Sequence, residues 1–215
     1  MDIVIRSVNN KANEEQAQVY DERRLISGEV RLSDNFSTAL RTHKLILKPE
    51  AVRKIFNFIQ WDVGQRSDSR IEQGGILLGK RYYDCQKDIH FALVHKAITA
   101  DGADGSTGYL DISRECWGIM HDKKDAYNRQ TAENVVIIGW FHTHPNGLPC
   151  FMSGTDRSTQ SLFFPGENTY SIVINPQRHL LKAFRAKECH AVQAFLILDG
   201  SCGTEGAYGV HKKLP

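Results

Sequence analysis

The chain has 215 residues, 41% of them hydrophobic and 24% charged, enough apolar material for one packed domain and too much for a disordered chain. Lys plus Arg is 27 against 25 Asp plus Glu, a balance that argues against a dedicated nucleic-acid binder. No apolar run approaches the ~20 residues that span a bilayer, and the N-terminus MDIVIRSVNNK lacks a signal-peptide core, so the expected setting is cytoplasmic. Five cysteines without a CxxC pair fit reduced thiols in that compartment.

In chain order, residues 1–40 are polar and weakly periodic, and are read as an N-terminal extension of unknown role. A partner-docking arm, an added strand or an inhibitory segment would each suit them. Regular structure starts with a strand at His43–Leu47, then a helix opened by Pro49 with Val52, Ile55, Phe56, Ile59 and Val63 on one face. A polar loop over 64–70 leads to a Gly-punctuated strand at 71–83, paired antiparallel with a strand at 89–98. Residues 100–108 (ADGADGSTG) read as a loop.

A second amphipathic helix carries Ile112, Cys116, Ile119, Met120 and Tyr127, with charges at Lys123, Lys124 and Asp125 outside. The most apolar strand, 135–141 (VVIIGWF), is expected to be central. A loop at 142–152, a helix from Ser153 to about Phe164, and strands at Tyr170–Asn175, 179–186 and 191–198 complete the domain. The expected fold is a single α/β (α+β) domain over 41–199, a central mixed sheet flanked by helices, followed by a tail at 200–215.

Chemistry concentrates where the central strand ends, at His142-Thr143-His144-Pro145. Residues i and i+2 of an extended chain share a face, so the two imidazoles can be neighbouring ligands of one ion. Asp156 could add an oxygen, and two nitrogens plus one oxygen suit Zn²⁺ with a fourth position open. Buried histidines satisfied by the core, and a plain helix capping box from Ser153 to Asp156, are the competing readings. HExxH is absent, and the deaminase pattern fails because Pro149-Cys150 is followed by no second Cys.

His142-x-His144-Pro145, then Ser153-x-x-Asp156, with Glu72 upstream in IEQGGILLG, resembles the JAMM motif of the JAB/MPN/Mov34 metalloproteases. The resemblance runs from about Lys44 to Leu198. It implies an MPN domain with cytidine-deaminase-like layering and one Zn²⁺ per chain on His142, His144 and Asp156. Glu72 would be the general acid/base, and Ser153 the donor to the oxyanion.

It implies as substrate the bond after the C-terminal glycine of a ubiquitin-like protein, cut in conjugates or precursors. Loop 100–108 and the helix after it occupy the place of substrate-contacting segments. The lack of a long insertion between Asp156 and Tyr170 is more like compact bacterial and archaeal members. Some of those accompany E1- and E2-like proteins, in certain cases for antiphage defence. Processing of a sulfur-carrier protein or small peptide amide, and a non-catalytic scaffold, are the alternatives. One feature departs from the family pattern: eight residues separate His144 from Ser153 where seven are usual. Cys150 lies in that loop, where some eukaryotic members also carry a Cys, and it reads as a packing residue or redox-sensitive neighbour rather than a ligand.

Overall fold

A computed structural model describes residues 15–16, 29–31, 42–61, 70–84 and 88–197 of the chain. Its strands are β1 (Glu15–Gln16), β2 (Glu29–Arg31), β3 (His43–Leu47), β4 (Gly74–Asp84), β5 (Ile89–Thr99), β6 (Asp104–Gly105), β7 (Leu110–Asp111), β8 (Val136–Thr143), β9 (Tyr170–Asn175), β10 (Leu180–Arg185) and β11 (His190–Ile197). The helices are α1 (Pro49–Phe58), α2 (Arg114–Thr131) and α3 (Gly154–Phe163).

The main sheet is mixed and closes on itself. From β4 the order runs β5, β3, β11, β10, β9 and β8, and β8 pairs back onto β4. The β3–β5, β3–β11 and β8–β9 pairs are parallel, and the rest of the ring is antiparallel. Closure leaves β8 with a neighbour on each side, so the expected central position of 135–141 holds. Two stretches of the N-terminal extension join this sheet. Residues 15–16 lie parallel to the far end of β4, and 29–31 run antiparallel to the end of β11.

Among the described residues, three of the four apolar clusters join the sheet to its helices and loops. The largest joins one face of the sheet (Leu45, Leu77, Val94, Phe141, Ile172, Leu181) to α1 through Val52, Ile55 and Phe56. Burying each such side chain stabilises the fold by roughly 1.5–3 kcal/mol. On the other face, α2 covers Ile76, Leu78 and Ile98 with Cys116 and Met120. The loop before α3 covers Trp140 and Val173 with Cys150 and Met152.

Several element bounds differ from those the sequence suggests. Helix α1 ends at Phe58, after which Gln60 takes a left-handed φ of 54°. Val63 and most of the 64–70 loop lie outside the described residues. Helix α2 starts after Ile112, because Ser113 is its N-cap and accepts the Cys116 N–H at 3.2 Å. Its Ile119 is exposed. Loop 100–108 is partly ordered as the β6–β7 hairpin, tied by Ser106, whose N–H donates to the Tyr109 carbonyl at 2.8 Å. Strand β10 is one residue shorter at each end than expected, since His179 (φ 50°) and Ala186 (φ 55°) are left-handed turn residues.

Candidate metal centre

Strand β8 extends two residues further than its apolar run, through His142 and Thr143. The extension is held by Gln73: its carbonyl accepts the Thr143 N–H at 2.8 Å, and its N–H donates to Thr143 Oγ1 at 2.8 Å. His142 thereby stays in extended conformation beside Gly74, its ladder partner on β4. That approach needs a glycine. A Cβ on Gly74 would stand 2.6 Å from the Phe141 carbonyl oxygen and 2.5 Å from Leu110 Cδ2. The same clamp places Glu72 at the mouth of the β4–β8 pair, just before the strand and not inside it.

Asp156 arrives from the other side. Ser153 caps α3, its Oγ accepting the Asp156 N–H at 3.2 Å while its own N–H donates to Asp156 Oδ2 at 2.7 Å. The reciprocal capping box therefore forms, and it also fixes the carboxylate. Both readings of this tetrapeptide apply together: the residues that cap α3 are the residues that aim Asp156 at the histidines.

His142, His144 and Asp156 form a buried triangle, 0%, 3% and 7% exposed. His142 Nε2 is 3.1 Å from Asp156 Oδ1, His144 Nε2 is 3.3 Å from Oδ2, and the two Nε2 atoms are 3.3 Å apart. Donor atoms about 2.0–2.1 Å from a tetrahedral zinc stand about 3.3–3.4 Å from one another, a spacing the two Nε2 atoms match, while each faces a different oxygen of the Asp156 carboxylate. His144 Nδ1 lies 2.9 Å from the Pro149 carbonyl, which can only accept. Its Nδ1 thus carries a hydrogen, which leaves Nε2, the nitrogen that faces the triangle, as the one available to an ion. Two imidazoles and a carboxylate converging away from solvent are a donor set that fits a cation.

Charges in the site respond to this geometry. Burial alone would raise the Asp156 carboxyl, but hydrogen bonds from the two imidazoles and Ser153 pull it below the usual carboxylate range. Burial holds His142 below the ordinary imidazole value. His144 is also lowered by burial, yet Asp156 and the Pro149 carbonyl more than offset this and hold it above that value. Glu72, 4% exposed, is raised by burial to about 7; His144 pulls it down and Asp156 pushes it further up. A carboxyl poised near neutrality suits proton transfer.

Glu72, His142, Ser153 and Asp156 line one cleft. Its walls include Tyr109 and Leu110 of the β6–β7 hairpin, Trp117 of α2 and Phe163 of α3. Ser153 still has its hydroxyl hydrogen to donate, because its bond to Asp156 N–H uses only a lone pair. All five residues singled out from the sequence are therefore brought to one place. Cys150, also singled out, packs in the cluster with Trp140 and Met152, and burial raises its thiol to about 11.

Other contributors were not anticipated. Trp140 stacks on the His142 ring, with centroids 4.3 Å apart and planes at 12°, and its Nε1 donates to Gln160 Oε1 at 2.8 Å. Its place two residues before His142, on the same strand face, was the available signal. The Pro149 carbonyl is a backbone feature, and the Gln73 clamp joins the Gln73 backbone to the backbone and hydroxyl of Thr143, so residue types alone give no sign of either.

A mixed sheet carrying a buried His–His–Asp triangle at a strand end, opposite a helix N-terminus, defines a domain built around a candidate metal centre. Residues 42–164 match the family model described as JAB1/Mov34/MPN/PAD-1 ubiquitin protease, and the chain belongs to that family. It is 29% identical over 117 residues to COP9 signalosome complex subunit 5 of Oryza sativa subsp. japonica, covering 54% of this chain and 30% of that protein. With the AMSH-like protease sst2 of Schizosaccharomyces pombe it shares 24% identity over 172 residues, 79% of this chain and 34% of that one. A shorter match, 37% over 49 residues, links it to 26S proteasome non-ATPase regulatory subunit 14 of Drosophila melanogaster, over 22% of this chain and 16% of that protein. The chain thus spans about a third of the length of the first two relatives. Among the described residues no helix is long and apolar enough to cross a membrane.

Proposed function

We propose that the protein is a zinc-dependent peptidase or isopeptidase that cuts the bond after the C-terminal glycine of a ubiquitin-like protein. The observation that carries this reading is the buried triangle of His142, His144 and Asp156, of which His142 and Asp156 line one cleft with Glu72 and Ser153. His142 Nε2, His144 Nε2 and one Asp156 oxygen would hold the ion. Zinc bound there supplies a Lewis acid that activates water and polarises the scissile carbonyl.

The chain's own groups do the remaining work. Glu72 takes a proton from the attacking water and returns it to the departing amine, a role its near-neutral carboxyl fits. The Ser153 hydroxyl donates to the oxygen of the tetrahedral intermediate as negative charge develops there. Tyr109, Trp117 and Phe163 wall the cleft with flat apolar surfaces, suited to an extended tail of small residues.

The working unit is residues 41–199, with 15–16 and 29–31 of the N-terminal extension paired onto its sheet. The direct link from α3 to β9 through residues 164–169 leaves no room for a second insertion, which favours a compact deconjugase or maturation protease. Such an enzyme fits a cytoplasmic pathway with E1- and E2-like proteins, of the kind that serves antiphage defence in bacteria. The test is a ubiquitin-like protein fused through its C-terminal glycine to a reporter. Mass spectrometry should place the cut after that glycine. Chelator should stop the reaction and added zinc should restore it; cleavage undiminished in chelator would refute the metal role.

A further inference from the structure

The loop between His144 and Ser153 is one residue longer than the sequence resemblance leads one to expect, yet its path is strongly determined. Asn175, the last residue of β9, is fully buried and reaches across to it. Its Nδ2 donates to the Asn146 carbonyl at 3.0 Å and to the Leu148 carbonyl at 2.7 Å. Its Oδ1 accepts the Arg178 N–H at 2.8 Å. The side chain's orientation is unambiguous, because two carbonyls face its donor end and one N–H faces its acceptor end.

Two further amides complete the network. Gln177 Oε1 accepts the Asn146 N–H at 2.9 Å, and Gln177 Nε2 donates to Asn146 Oδ1 at 3.0 Å. Asn146, left-handed at φ 61°, then donates through Nδ2 to the Arg70 carbonyl at 3.1 Å. Arg70 stands two residues before Glu72. The turn held in this way ends at Pro149, whose carbonyl receives the His144 Nδ1 hydrogen. Meanwhile the His144 N–H donates to the Ile174 carbonyl at 2.8 Å, on the strand that ends at Asn175.

We propose that Asn175 is a positioning residue of the metal centre: it holds the 146–148 turn so that the Pro149 carbonyl fixes the His144 ring with Nε2 toward Asp156. The proposal rests on the metal reading above for its effect on zinc, and on the hydrogen bonds alone for its effect on the ring. Asparagine is required because both amide hydrogens are used. Aspartate, nearly the same shape, would put carboxylate oxygen against two carbonyl oxygens and still accept the Arg178 N–H.

The experiment compares wild type, Asn175→Asp and Gln177→Ala in two readouts. Zinc affinity is measured by competition with a chromogenic chelator. The tautomer of His144 is read from imidazole ¹⁵N resonances of the metal-free protein. Asn175→Asp should bind zinc about tenfold to a hundredfold more weakly and shift the His144 Nδ1 resonance away from its hydrogen-bonded N–H position. Gln177→Ala, at a partly exposed site, should move both in the same direction by less.

A purely structural Asn175 would lower the melting temperature but leave both readouts unchanged in the folded variant, and that result overturns the proposal. Should Asn175→Asp fail to fold, Gln177→Ala decides: wild-type affinity and an unshifted resonance overturn it. A wild type that takes up no zinc would refute the metal reading instead. The His144 resonance then decides for Asn175 alone.

Discussion

Replacing Ser153 separates the capping bond that its side chain makes from the oxyanion role proposed for it. Its Oγ caps α3 by accepting the Asp156 N–H through a lone pair, and its hydroxyl keeps the hydrogen that the proposal gives to the oxyanion. Its backbone N–H, which any residue retains, holds Asp156 Oδ2 at 2.7 Å. Ser153→Ala should therefore keep zinc. It loses the cap, at about 1 kcal/mol of stability, and so melts about 2–4 °C lower. It also loses the oxyanion donor, and kcat/KM should fall about 100- to 1000-fold, equivalent to roughly 2.7–4 kcal/mol of transition-state stabilisation. Ser153→Gly dissects the two effects, because glycine at an N-cap costs only about a few tenths of a kcal/mol. It should melt close to wild type and be as slow as Ser153→Ala. The assay is fusion cleavage alongside zinc content and thermal melts. Either variant within about threefold of wild-type kcat/KM would refute the oxyanion role. Loss of zinc from both would show that the hydroxyl, and not the backbone N–H, holds the carboxylate.

Glu72 gives the metal-free protein a pH signature. Its folded value of about 7 lies above the ordinary 4.5, so its protonated form favours folding, and that stabilisation, present below about pH 4.5, is lost as pH rises through 7. Urea melts of metal-free wild type should lose more stability between pH 5 and pH 8 than those of Glu72→Gln; equal losses would place Glu72 in solvent. Gly74→Ala should destabilise the domain by about 1–3 kcal/mol, since its Cβ would press on the Phe141 carbonyl at 2.6 Å, and a wild-type melting temperature would deny that close approach. Trp140→Phe keeps a ring over His142 but leaves the buried Gln160 Oε1 unpaired, at a cost of about 1–3 kcal/mol in thermal or urea melts. An unchanged stability would mean that Gln160 finds another donor.

Much of the site was legible because its parts are local in sequence. His142 and His144 alternate on one strand face, and Ser153-x-x-Asp156 is a single helical turn, so each pair follows from backbone period. Glu72 is different. Nothing at its own position distinguishes it from an exposed acid, and only the family resemblance tied it to histidines far along the chain. The elements were legible where apolar period was strong, as in β8 and α1. Bounds failed where single residues decide them: Ser113 starting α2, His179 and Ala186 truncating β10, and Gln73 prolonging β8. Closure of the sheet through the β4–β8 pair, and the amide network on the 146–148 turn, depend on long-range partners that no local pattern specifies.

The central claim is that His142, His144 and Asp156 hold zinc while Glu72 moves the proton. Parallel measurement of zinc stoichiometry and fusion cleavage for wild type and Glu72→Gln tests it most directly. One zinc per chain in both proteins, with turnover in wild type alone, is the expected result. Zinc in neither protein, or equal turnover in both, would contradict the account.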